Sequence, residues 1–230
     1  MKSAPPIDSL YSVTIPAGGV MLEGDLQIPS VAEGVVIFAH GSGSGRHSPR
    51  NQFVARIIRE AGMGTLLFDL LTKKEEVQDD FTHALRFDIN LLARRLVHAA
   101  RWLTSLPDAR PPQIAFFGAS TGAAAALCAA AQFGNQVRAV VSRGGRPDLA
   151  DAALDRVVSP TLLIVGESDH EVLGLNRKAL NRLRCEKELR TIPEATHLFE
   201  EPGTLEQAAQ LAASWFRRHF SNDAEKGGPG

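Results

Sequence analysis

The stretch from Ile114 to Phe133 constrains the fold most. Ile114-Ala115-Phe116-Phe117 is a short apolar run, Gly118-Ala119-Ser120-Thr121-Gly122 follows at once, and Thr121–Phe133 is nearly all alanine. An apolar run this short, closed by glycine, fits a strand buried on both faces, as in a parallel sheet. A helix of small residues has no bulky stripe to hold it at a distance, so it must pack close to that sheet. The turn between them is tight and carries a hydroxyl.

Four more buried-strand runs surround this unit: Val35–Ala39, Thr65–Leu71, Ala139–Val141 and Leu162–Val165. A last strand is predicted over Glu188–Ile192. Helical patterns separate them over Asn51–Ala61, Arg86–Leu106, Glu171–Leu183 and Leu205–Phe220. In Arg86–Leu106 the apolar positions Leu91, Leu92, Leu96, Ala99 and Leu103 fall near the helical period. Alternation of this kind demands right-handed crossovers and a mostly parallel sheet with helices on both faces. Before it, Ser12–Pro16 and Val20–Pro29 flank Ala17-Gly18-Gly19 and predict an antiparallel hairpin.

The 230 residues suffice for one substantial core and predict a single domain over residues 1–220, with a mobile polar tail at 221–230. A net charge of −1 gives no basic surface for nucleic acid or membrane. Met1–Leu10 lacks the basic start and apolar run of a signal peptide, and no stretch is long enough to span a bilayer. A cytoplasmic location is the expectation. Cys128 and Cys185 have no metal-ligand spacing, and no disulfide is expected. Nothing in the sequence decides between monomer and homodimer.

Ligands bind beyond the carboxyl ends of parallel strands. Nearly every reactive side chain falls there, in His40–Arg50, Thr72–Asp80, Gly118–Gly122, Ser142–Asp148, Gly166–His170 and Pro193–Pro202. Ser120 is the expected nucleophile, held out of the sheet at a helix N-terminus by a turn that needs Gly118 and Gly122. Serine needs an adjacent base. Of seven histidines, His197 follows the last strand and precedes the last helix, with His40 its main rival. Asp169, after Leu162–Val165, is the expected orienting acid. Glu167, Asp148 and Asp151 are the alternatives, and a plain helix cap is the simplest other role for Asp169.

His40-Gly41-Ser42-Gly43-Ser44-Gly45 could cradle a phosphate, but the Lys-Ser/Thr of that motif is missing, so oxyanion binding is expected. The donors are the N–H groups of Ser42 and Thr121, with Gly43 an alternative. His40, Gly43, Arg46, His47 and Arg143 are candidate substrate contacts. The competing role for the arginines is pairing with acids such as Asp69, Asp88 and Asp148. Lys73–Asp80 is expected to be a solvated connector over the site.

The His40–Gly41 loop, the Gly118–Gly122 elbow, Asp169 after a strand and His197 before the last helix resemble the α/β-hydrolase superfamily. Over about residues 12–220 they resemble its small dienelactone-hydrolase-like members. The resemblance implies an eight-stranded, mostly parallel sheet without a large cap, and hydrolysis of a small-molecule ester with neither metal nor organic cofactor. Thioester hydrolysis or acyl transfer would use the same triad. A non-catalytic binding protein on this fold is a third reading, which three occupied triad positions argue against. Dienelactone hydrolases proper use a cysteine nucleophile and carry an arginine just beyond the catalytic histidine. Here Ser120 and the run Leu198-Phe199-Glu200-Glu201 stand instead, which points to a general carboxylesterase.

Overall fold

The computed structural model describes residues 10–30, 32–106 and 113–221. The expectations for the amino-terminal nine residues and for the tail after Ser221 lie outside the described residues.

Strand β1 (Leu10–Ala17) turns into β2 (Val20–Gln27) through Gly18 and Gly19, both at positive φ (62° and 94°). Such a two-residue turn matches the twist of the strands it joins, and only glycine adopts it freely. Next come β3 (Gly34–Ala39), α1 (Pro49–Glu60), β4 (Gly64–Phe68), α2 (Lys73–Thr82) and α3 (Ile89–Thr104). The chain continues as β5 (Gln113–Ala119), α4 (Thr121–Phe133), β6 (Val137–Arg143), β7 (Thr161–Gly166), α5 (His170–Arg182), β8 (Lys187–Ile192) and α6 (Thr204–Ser221).

All eight strands join one sheet in the order β1-β2-β4-β3-β5-β6-β7-β8. β2 pairs antiparallel with β1 and β4, and every other neighbour is parallel. The chain steps from β3 outward to β4, then returns past β3 to β5. That reversal opens a crevice between the carboxyl ends of β3 and β5, where ligands of such sheets bind.

Two apolar layers sandwich the sheet. One joins α3 and α4 to Ile37, Leu66, Phe116 and Val140; the other joins α1 and α6 to Phe38, Phe117, Val141 and Ile164. Helix α4 buries Ala123, Ala124, Ala125, Ala126, Ala129 and Ala130 completely, as its composition predicts. Cys128 and Cys185 are both free thiols. No helix among the described residues is long and apolar enough to cross a membrane.

Two expectations need correction. Lys73–Asp80 is helix rather than connector. Thr72 Oγ1 accepts from Glu75 N–H (3.2 Å) and Glu75 Oε2 accepts from Thr72 N–H (2.8 Å), a reciprocal cap legible as Thr-x-x-Glu. Its Asp79 is fully buried and accepts from the Leu85 N–H at 2.6 Å. The helix predicted from Arg86 begins at Ile89, because Asp88 caps it by accepting from Leu91 N–H (2.9 Å). Asp88 is therefore a cap and not an arginine's partner.

On α6, His219 is buried against Trp215, ring centroids 4.6 Å apart. Burial, with Arg218 and Arg138 nearby, lowers its pKa to about 4. The folded value lies below the unfolded one, near 6.5. His219 therefore contributes stability that is complete above pH ~6.5 and is lost as pH falls toward 4. Urea titrations across this range should show a shallower acid slope for His219→Gln than for the native chain; identical slopes would contradict the assignment.

Candidate active site

β5 must pass into α4 through a single residue, and Ser120 takes the turn at φ 51°, ψ −123°. Three backbone bonds hold it: Ser120 N–H donates to Arg143 O (3.2 Å), while Ser120 O accepts from Ala123 N–H (3.1 Å) and Arg146 N–H (3.0 Å). The flanking glycines are there for space. A Cβ at Gly118 would lie 2.4 Å from Ala123 Cα, and one at Gly122 would lie 2.1 Å from Ala39 O. Gly41 closes the third side, since a Cβ there would lie 3.1 Å from Ser120 Cβ.

The loop after β7 brings in Asp169. Glu167 N–H bonds Ile192 O (2.9 Å) and Ser168 N–H bonds Ala195 O (3.0 Å), tying this loop to the one after β8. Asp169 occupies the cap position of α5, yet its side chain makes no cap bond. Its Oδ2 instead lies 2.7 Å from His197 Nδ1. A carboxylate there accepts only, so Nδ1 carries the proton and Nε2 presents its lone pair. Nε2 lies 3.4 Å from Ser120 Oγ, longer than an ideal O–H···N bond, a spacing common before substrate binds. Ser120, Asp169 and His197 thus meet. The alternative acids do not reach His197: Glu167 is exposed, Asp148 pairs with Arg146 (2.7 Å) and Asp151 with Arg182 (3.1 Å).

The other candidates divide. Thr121 N–H opens α4, directly after Ser120 in the chain. Ser42 N–H donates to Thr121 Oγ1 (3.0 Å), so it must exchange that partner to hold an oxyanion. Gly43, at φ 68°, faces open space. His40 lines the cavity, but both its ring nitrogens are used within the protein: Nε2 accepts from Leu70 N–H and Nδ1 donates to Gly41 O, each at 3.0 Å. Burial holds its pKa below the ordinary range, so the ring stays neutral and clamps two loops together. Arg46 is not free for substrate either. It pairs with Asp69 and with Glu23 (2.7 Å), and Asp25 lies 3.6 Å away. His47 is exposed, 4.0 Å from Asp25. Arg143 is buried and pairs with no acid among the described residues; its guanidinium lies 5.4 Å from the centre of the Phe199 ring.

A cavity of about 560 Å³ opens beside Gly41 and runs from the glycine loop to α2, with Leu70 and Leu71 on its floor and Glu76 and Arg86 on its far wall. The sequence reading missed this wall because it took α2 for a connector. The Thr72-x-x-Glu75 cap was the available signal.

The model of the Dienelactone hydrolase family matches residues 22–221. The chain belongs to this family. Its fold is that of the α/β hydrolases. A dienelactone hydrolase crystal structure from Anabaena variabilis is 55% identical, with a TM-score of 0.90 over 92% of this chain and 98% of that one. An α/β serine hydrolase without a lid from Xanthomonas campestris superimposes with a TM-score of 0.73 over 93% of this chain and 97% of that one; at 22% identity it shows the fold alone. A Mycobacterium tuberculosis (strain H37Rv) protein that carries the provisional name phosphoribosyl transferase is 53% identical over 215 residues, 94% of this chain. The chain spans about half (48%) of that relative's length.

Space at the elbow gives a direct prediction. Gly122→Ala should destabilise the fold by about 3 kcal/mol, because the new methyl collides with backbone rather than with a movable side chain. The midpoint of urea unfolding measures this, and an unchanged midpoint would contradict the packing described.

Proposed function

We propose that the protein is a serine esterase cleaving small carboxylic esters with short acyl groups. The observation that carries this reading is the line Ser120 Oγ, His197 Nε2, His197 Nδ1, Asp169 Oδ2, with separations of 3.4 and 2.7 Å across its two gaps.

Ser120 Oγ attacks the acyl carbon and its proton passes to His197 Nε2. Asp169 holds the ring in the required tautomer and stabilises the imidazolium that forms. The carbonyl oxygen gains charge at the start of α4, where Thr121 N–H and the helix dipole favour it. A second donor comes from the glycine loop: Ser42 N–H once released from Thr121 Oγ1, or Gly43 N–H. The imidazolium then protonates the leaving alcohol. Water, deprotonated by His197, releases the acid and restores Ser120. Among the described residues no cap domain covers the crevice, which supports small substrates.

Hydrolysis of p-nitrophenyl acetate tests the reading. Ser120→Ala should lower kcat about 10⁴-fold or more, and Asp169→Asn about 10⁴-fold. Thermal midpoints should stay near native. A Ser120→Ala variant that kept most of its activity would overturn the proposal.

A further inference from the structure

Arg143 ends β6, and only 7% of its surface is exposed. Among the described residues its Nε has no hydrogen-bond partner and no acid pairs with its guanidinium. A buried cation without a counter-charge is strongly disfavoured, so an arriving anion would find a partner there at little further desolvation cost. The other cations near the crevice are matched: Arg46 by Glu23 and Asp69, Arg86 by Asp79 and Asp80.

Two consecutive residues of the His197 loop join Arg143 to a second arginine. Phe199 lies over Arg143, and Glu200 pairs with Arg50 at 3.2 Å. Arg50 is the second residue of α1, a twelve-residue helix with no acidic residue in its first turn and no side-chain cap from Ser48. The positive end of the helix dipole is therefore unanswered where Arg50 and Arg143 stand. Burial first, and then the charge of Arg50, lowers the Arg143 pKa to about 10, as expected of like charges awaiting an anion.

The reaction centre is adjacent. Arg143 O accepts from Ser120 N–H at 3.2 Å, and a Cβ at Gly144 would lie 3.7 Å from His197 Cε1. This place also differs from the position just beyond the histidine, where dienelactone hydrolases proper carry an arginine; here Leu198 to Glu201 fill it.

We propose that Arg143, Arg50 and the first turn of α1 bind an anionic oxygen group, a carboxylate or phosphate, carried by the ester substrate. The substrate part of this inference rests on the esterase reading above; the anion site itself does not. The Glu200 side chain, 65% exposed, stands in for the ligand on Arg50 and gives way to it, since an exposed pair of this kind is weak. The planar Arg143 guanidinium, over the Phe199 ring, offers two parallel N–H donors to the ligand's oxygens.

Calorimetric titration of the native chain with inorganic phosphate and, separately, with acetate tests the site without turnover. At least one anion should bind saturably. Arg143→Met should weaken it at least tenfold, and Arg143→Lys by less, because the charge stays and the fork is lost. Glu200→Gln should tighten binding at least threefold. Arg56→Gln, which removes an exposed pair within α1, should leave it unchanged. Without ligand, Arg143→Met should melt above native. Phosphate binding alone identifies a phosphoryl group, and acetate binding alone a carboxylate. No binding of either anion overturns the site. So does affinity indifferent to both Arg143→Lys and Glu200→Gln, or an Arg143→Met chain that melts lower with unchanged affinity; the last would make Arg143 a structural residue. If Arg143→Met does not fold, the lysine and Glu200 variants decide. A chain that binds the anion but hydrolyses no ester would overturn the esterase reading and leave the anion site standing.

Discussion

Ser120 sits in a backbone region that a side chain tolerates only at a cost of about 1–3 kcal/mol. It stays there because its surroundings leave no alternative. Its carbonyl is shared by Ala123 and Arg146, its N–H is taken by Arg143 on β6, and Gly122 lies against the end of β3 so closely that a methyl has no room. Three neighbouring strands and one helix thus converge on a single residue. The small side chains of α4 belong to the same constraint: a helix entered through so sharp a turn starts against the sheet and must stay there. The apolar layers on either side of the sheet pay for the strain.

Much of this is legible in the sequence because the physics is local. The apolar runs, the paired glycines around Ser120 and the alanines of α4 each have one structural use, and their chain order places Ser120, Asp169 and His197 at one edge. Asp169 shows where local reading becomes ambiguous. It stands at a helix cap, and only the distance to His197 across two loops shows that its carboxylate is used otherwise. Arg46 shows a choice that the sequence leaves open between substrate contact and pairing with an acid such as Asp69. Its loop position suggests a substrate contact, but the acids that neutralise it come from β2 and from just past β4, so their proximity depends on sheet order. The bond from Leu70 N–H to His40 is hidden from the sequence for the same reason, since Leu70 reaches it only through the pairing of β3 with β4. The wall formed by α2 was missed although its cap is written in Thr72 and Glu75.

The charges around the crevice follow one pattern with one exception. Arginines on the β2–β4 side are held by carboxylates and fix loops in place, which leaves that cavity polar without an unmatched cation. On the opposite side, under the histidine loop, Arg143 is buried and no acid among the described residues matches it. The family accounts for the α/β-hydrolase sheet. The arrangement around Ser120 supports acyl chemistry, and the uneven matching of charge indicates which side of the crevice takes the anionic end of a substrate.

The central claim is that Ser120 is an activated nucleophile. Treatment with a fluorophosphonate, followed by intact-mass and peptide analysis, tests it most directly. The account predicts one phosphonyl adduct per chain, located on Ser120, with labelling abolished in Ser120→Ala and slowed by orders of magnitude in His197→Ala. A native chain that stays unlabelled, or that is labelled equally fast at another serine, would contradict it.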